Sequence, residues 1–179
     1  MAVLEVIRMG HPTLRQVARE LTLEEIRSDA TAKLIEDMHD TLHYQGGIGL
    51  AAPQVNAPVR LAIIEMAEGS TRYGEVDAHG FSVYINPILR PQPGLEAGYW
   101  EGCLSIPGMR GYVERPQHLI VDYQDVAGDA RTLEVRGFLA TVFQHEFDHL
   151  DGTLYIDRLR DTRKLAFDDE YTQFIKEEN

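Results

Sequence analysis

Gln144-His145-Glu146-Phe147-Asp148-His149-Leu150 decides how the rest of this 179-residue chain is read. Residues four apart on an α-helix lie one above the other on the same face. His145 and His149 can therefore present two imidazoles to one metal ion. Glu146 lies about 100° round the helix from His145, so it can lean into such a site without ligating. This is the H-E-x-x-H arrangement of metal-dependent hydrolases. A polar helix face with two solvated histidines has the same spacing, so a third ligand must be sought elsewhere.

No histidine follows Leu150. A catalytic site keeps one coordination position open and takes three ligands from the protein. The lone cysteine, Cys103, lies 42 residues before His145, between Gly102 and Leu104. It is the best third-ligand candidate, and Glu101, Asp148, Asp151 and Asp157 are the others. A free cysteine is more often a small buried hydrophobe. A metallo-endopeptidase reading of the same helix would need a downstream carboxylate such as Asp157.

Composition narrows the classes. Seventeen basic and 29 acidic residues give a formal net charge of −12, which argues against DNA or an anionic membrane as a bulk electrostatic partner. No apolar run reaches the length of a membrane span. The start, Met1-Ala2-Val3-Leu4-Glu5-Val6-Ile7-Arg8, lacks signal-peptide features. One cysteine fits a reducing compartment. The length fits one domain over residues 1–179.

Along the chain, Val3–Ile7 reads as an edge strand and Pro12–Leu21 as a loop with a helical turn. Thr22-Leu23-Glu24-Glu25 reads as a helix start. Ser28 to Tyr44 forms a strong helix, with an apolar stripe of Ala30, Leu34, Ile35, Met38 and Leu42, an N-cap at Ser28 and a stop at Gly46-Gly47. His39 and His43 on that helix read as polar-face or partly buried histidines, His11 as a solvated or turn residue, and His79 as solvated. Gly47-Ile48-Gly49-Leu50-Ala51-Ala52-Pro53-Gln54 suggests backbone held close to something, with Gln54 aimed into it. Val59–Met66 reads as a strand and Ala67–Gly80 as a loop or hairpin tip. Phe81–Ile85 is a strand ending at Asn86-Pro87, and Leu89 starts another short piece. Leu95–Trp100, Gly111–Glu114, His118–Tyr123 and Arg131–Val135 are further strands, the last two joined by a turn at Gly128-Asp129. Arg136–Leu150 is the second strong helix. Leu165, Phe167, Tyr171 and Phe174 hint at a weak terminal helix. This order predicts an α+β fold, mostly antiparallel sheets around the helix that carries the motif.

Three motifs together resemble the peptide deformylase family: Gly47–Gln54, Glu101-Gly102-Cys103-Leu104-Ser105, and Gln144–Leu150. They come in that family's order, and weaker similarity runs from Val3 to about Leu159. The resemblance implies Cys103, His145 and His149 as ligands of one divalent metal, Fe(II) in cells, with Ni, Co or Zn able to replace it. It implies hydrolysis of N-formylmethionine at the start of new polypeptides, with release of formate. Glu146 is implied as general base, and the Gln54 amide and Leu104 backbone N–H as oxyanion donors. Formylmethionyl nascent peptides are the implied partners, with a transient ribosome contact allowed for. A monomer is expected, cytoplasmic or organellar, with no direct DNA binding and no membrane association.

Phe138, Thr141 and Val142 lie seven, four and three residues before His145 and share its face. With Ile48 and Tyr99 they are candidates for a methionine side-chain pocket, and equally for plain core. By resemblance, Gly49 and the Ile48 backbone pair with substrate main chain, and Arg110 matches a substrate-binding position; Gly102, as a glycine, permits close approach of backbone to the site. The resemblance also pairs Glu101 with Arg115, fixing the loop that bears Cys103. Relatives often have proline before that arginine, where this chain has Glu114. The short tail after Leu159 does not match the long terminal helix of some members.

Overall fold

The computed structural model describes residues 2–67, 69–71, 74–76 and 78–176. The rest of the 67–80 stretch lies outside the described residues. In chain order the elements are α1 (Leu23–Ile26), α2 (Asp29–Gln45), β1 (Gly49–Ala51), β2 (Leu61–Met66), β3 (Gly69–Thr71), β4 (Gly74–Val76), β5 (His79–Pro91), β6 (Glu96–Cys103), β7 (Ile106–Pro116), β8 (His118–Gln124), β9 (Ala130–Arg136), α3 (Phe138–Leu150), β10 (Leu165–Phe167) and α4 (Asp168–Phe174). Short 3-10 turns occupy Pro12–Arg15, Ala52–Val55, Tyr155–Arg158 and Thr162–Lys164. One sheet has the order β1-β2-β5-β8-β9, a second β10-β7-β6, and β3 pairs with β4. All these strand pairs are antiparallel. The α+β class is as expected.

Helices α1 and α2 begin where side chains satisfy free backbone groups, whereas α3 and α4 open without a side-chain cap. A Thr22–Glu25 capping box opens α1. Ser28 accepts from Thr31 N–H to open α2, and Gly46, at φ 66°, closes it in the left-handed conformation. Met38 and Leu42 of α2 are buried, whereas Ala30 is exposed and does not join the stripe. Helix α3 starts two residues later than expected. Arg136 still belongs to β9, and Gly137 turns the chain at φ 64°. From Ala140 to Leu150 every residue of α3 except His145 is buried.

Strand β2 explains why that helix can be central. Successive side chains alternate between sheet faces. Ala62, Ile64 and Met66 join the cluster around Phe143, Phe147 and Leu150 of α3. Leu61 and Ile63 join Met38, Leu42 and Leu50 on the other face, under α2. A strand covered on both sides reads as a continuous apolar run. A third cluster of Ile106, Val113, Leu154 and Tyr155 surrounds Cys103.

Several local expectations are corrected. Val3–Ile7 forms no strand. Its backbone bonds scatter: Leu4 N–H donates to Thr41 Oγ1 and Ile7 N–H to the Gln54 carbonyl. Asn86-Pro87 does not end β5. Asn86 takes φ 49° at a register shift, and its side chain bonds Leu21 N–H, the Leu21 carbonyl and Gln124. The missing proline donor is thereby absorbed in a bulge. Leu165 and Phe167 pair with β7 as β10, leaving only Asp168–Phe174 helical. His79 is half-buried, 3.0 Å from the Tyr84 hydroxyl, and burial lowers its pKa.

Phe143 is fully buried and meets the rings of Tyr84 and Phe147 at 4.8 and 5.5 Å. Phe143→Ala should lower unfolding free energy by about 3–5 kcal/mol, read as a lower urea midpoint.

Candidate metal centre

Strands β6 and β7 pair Cys103 with Ile106, so Leu104-Ser105 is a two-residue hairpin turn. Cys103 therefore sits on the last residue of a strand, a more rigid placement than the loop expected for it. The hairpin brings the thiol against α3. Cys103 Sγ lies 3.3 Å from His149 Nε2, and one donor atom each from Cys103, His145 and His149 fall within 4.8 Å of one another. Bonds of about 2.3 Å to sulfur and 2.1 Å to nitrogen place tetrahedral ligands about 3.6 Å apart, so the spacing fits a first-row divalent ion.

The electrostatics fit as well. Burial, with His145 and Arg115 nearby, holds His149 well below its ordinary pKa, in the neutral form that ligates. Burial opposes charge on His145, but Cys103 and Glu101 outweigh it and raise that imidazole well above its usual value.

The other third-ligand candidates are engaged elsewhere. Glu101 takes Arg115 Nε at 2.6 Å and Nη2 at 3.0 Å, and meets His145 Nδ1 at 2.8 Å. Asp148 is bonded by Arg115 at 2.8 Å and by Arg158 at 2.7 and 3.2 Å. Asp151 pairs with Arg60, and Asp157 with Arg15 and the Leu154 N–H. The expected Glu101–Arg115 pair is thus part of a buried network that also holds Asp148 and His145. Burial opposes ionisation of Glu101, but Arg115 and His145 hold its carboxyl below the usual range.

A pocket opens beside these residues, lined among others by Ile48, Gly49, Gln54, Gly102, Leu104 and Glu146. Phe138, Thr141 and Val142 complete one wall. The Gly47–Gln54 stretch is held close. A Cβ on Gly47 would lie 2.9 Å from Leu42, and one on Gly49 would lie 2.5 Å from Glu146 Oε1. Gln54 accepts from Ala51 N–H at 2.9 Å, which aims its Nε2 at Ser105 Oγ, 3.2 Å, and Cys103 Sγ, 3.5 Å. Tyr99 does not line this pocket. It meets the Phe138 ring edge-on at 5.0 Å. Arg110 is on an adjoining cleft with Leu104, Met109 and Asp168, its Nε 2.7 Å from Asp168. The reading of the residues missed Ser105 and Arg158. Ser105 stood within a quoted motif, but Arg158 carried no sequence signal.

A family model described as polypeptide deformylase matches residues 3–165. The chain belongs to the peptide deformylase family. It is 37% identical over 170 residues to a peptide deformylase of Leptospira biflexa, covering 95% of each chain. It is 42% identical over 164 residues to peptide deformylase 1 of Nitrosomonas europaea, covering 92% of each. Its fold matches the Met-Ala-Ser-bound class I type b peptide deformylase of Acinetobacter baumannii with a TM-score of 0.84 and 33% identity, covering 88% of this chain and 99% of that one.

Removing one partner of a buried ion pair costs about 3–5 kcal/mol, so Arg115→Met should be destabilised by that order. Glu101 has a depressed folded pKa. Its contribution is therefore full above its unfolded value of about 4.3 and is lost as pH falls through the folded value. Without Arg115, burial pushes Glu101 upward, and acid unfolding followed by circular dichroism should begin at higher pH than in the wild type.

Proposed function

We propose that the chain removes the formyl group from the N-terminal formylmethionine of newly made polypeptides, releasing formate, with Cys103, His145 and His149 as ligands of a catalytic divalent metal. The carrying observation is the convergence of that thiol and two imidazoles beside Glu146 and Gln54 in a member of this family. A divalent ion held there would supply Lewis acidity and lower the pKa of a water. Fe(II) is the favoured ion in cells, with Ni, Co or Zn as substitutes, since thiolate and imidazole suit several first-row metals.

The chain's own groups then have these roles. Glu146, buried against Gly49, takes a proton from the attacking water, whose oxygen bonds to the formyl carbon. As the C–N bond breaks, Glu146 returns the proton to the leaving amine. Gln54 Nε2 and the Leu104 N–H donate to the oxyanion that develops on the formyl oxygen. The hairpin turn and the Ala51 bond set these donors before substrate arrives, so little reorganisation opposes the reaction.

Ile48, Phe138 and Val142 take the unbranched methionine side chain, with Tyr99 bracing Phe138. Strand β1 is the edge of its sheet, so Ile48 and Gly49 can pair with an extended peptide, and Gly102 admits that backbone. Arg110, on the adjoining cleft, meets residues that follow the methionine. Among the described residues no helix is long and apolar enough to cross a membrane. The reading takes the chain as a monomer in a bacterial-type cytoplasm or an organelle, in transient contact with the ribosome.

Anaerobically prepared, metal-loaded protein should release formate from formyl-Met-Ala-Ser. Glu146→Ala should lose turnover while keeping its metal, and Gln54→Ala should lower kcat by about 10²–10³. Absence of formate release by wild type loaded with Fe, Ni or Co would overturn the reading. Gly49→Ala should fold yet lose most of its kcat, because the added methyl displaces the Glu146 carboxylate.

A further inference from the structure

A second set of metal-type ligands converges away from the pocket. His39 and His43 sit one turn apart on α2, and both reach Glu65 on β2. His39 Nε2 is 2.8 Å and His43 Nε2 is 2.6 Å from the same Glu65 Oε2. One ligand atom from each of the three residues lies within 4.8 Å of the others. These histidines are therefore more than a polar helix face.

Three features build the cluster. The i, i+4 spacing stacks the imidazoles on one face. The rings of His43 and Phe81 flank that of His39, at 4.3 and 4.1 Å between centroids, and restrict its rotation. Glu65 comes from an inner strand of the five-stranded sheet, and the hydrogen bond from His43 is the largest influence holding its carboxyl below the usual range. Two imidazoles and one carboxylate are a ligand set for borderline divalent ions. The His39 and Glu65 side chains are about one-third exposed and that of His43 60% exposed, so the place is open to ions from solvent.

We propose that His39, His43 and Glu65 form a second metal site, taking Zn²⁺, Ni²⁺, Co²⁺ or Cu²⁺, that clamps α2 to β2. The Glu65 N–H donates to the Ile48 carbonyl at 3.0 Å, and α2 runs through Gly46 and Gly47 directly into Ile48. An ion here ties together the two elements that flank the pocket-lining stretch Gly47–Gly49. Its effect is stabilisation by linkage, since binding to the folded state alone raises the melting temperature.

The test titrates Co²⁺ into protein already carrying a metal at Cys103, His145 and His149. Equilibrium dialysis with metal analysis should find one further ion per chain in the wild type, with d–d absorption and no added sulfur-to-cobalt band. The wild-type melting temperature should rise with Co²⁺. His43→Ala and Glu65→Gln should take up no further ion at the same concentration, and Co²⁺ should leave their melting temperatures unchanged. The proposal is overturned if the wild type takes none, if both variants retain the extra ion, or if uptake brings a new sulfur-to-cobalt band. That band would report exchange at Cys103 and leave the hydrolase reading intact.

Discussion

The Glu101 carboxylate is the joint on which the site depends. It accepts both arms of Arg115 and meets His145 Nδ1. One buried group thus couples β6, β7 and α3. Taking charges out of water is expensive unless every lone pair and proton is matched. Here Arg115 also reaches Asp148, which Arg158 holds from the other side. Fixing Nδ1 of His145 presents its Nε2 toward Cys103, and a ligand imidazole oriented in this way is both pre-positioned and more basic.

Packing supplies the rest of the rigidity. Helix α3 is buried from Ala140 onward except at His145, and β2 is covered on both faces by separate clusters. The Cys103 hairpin closes in two residues, which fixes the thiol and the Leu104 N–H in one tight turn. Gly47 and Gly49 let β1 approach Leu42 and Glu146 at distances that a side chain would forbid. Glu146, Gln54, Leu104 and Gly49 of β1 therefore border one pocket.

Much of this was legible in the residues because the patterns are local. The i, i+4 histidines, the Ser28 cap, the Gly46 stop and the Gly128 turn each need only a few neighbours. The α+β class followed from the order of those elements. What escaped depends on long-range partners. Asn86 continues a strand through a proline only because Leu21 and Gln124 receive its side chain. Val3–Ile7 looks like a strand but finds no ladder. Asp148 looked like a metal ligand until two arginines, 33 residues before it and ten after, claimed its oxygens. Tyr99 shares the apolar character of a pocket wall, yet it touches Phe138 without lining the pocket.

The pairing of His39 and His43 with Glu65 belongs to the same class of long-range fact. The helix spacing alone was uninformative, and the strand residue that completes the triplet is 22 positions away from His43. The structure thus holds two polar clusters: a buried one around Glu101 and an open one around Glu65.

The central claim is that the Glu101 carboxylate pre-organises the ligand His145. The most direct measurement is metal affinity by chelator competition in wild type and Glu101→Gln. The account predicts affinity about 10–100-fold weaker in the variant, with the fold retained by circular dichroism. Unchanged affinity in a folded Glu101→Gln protein would contradict it.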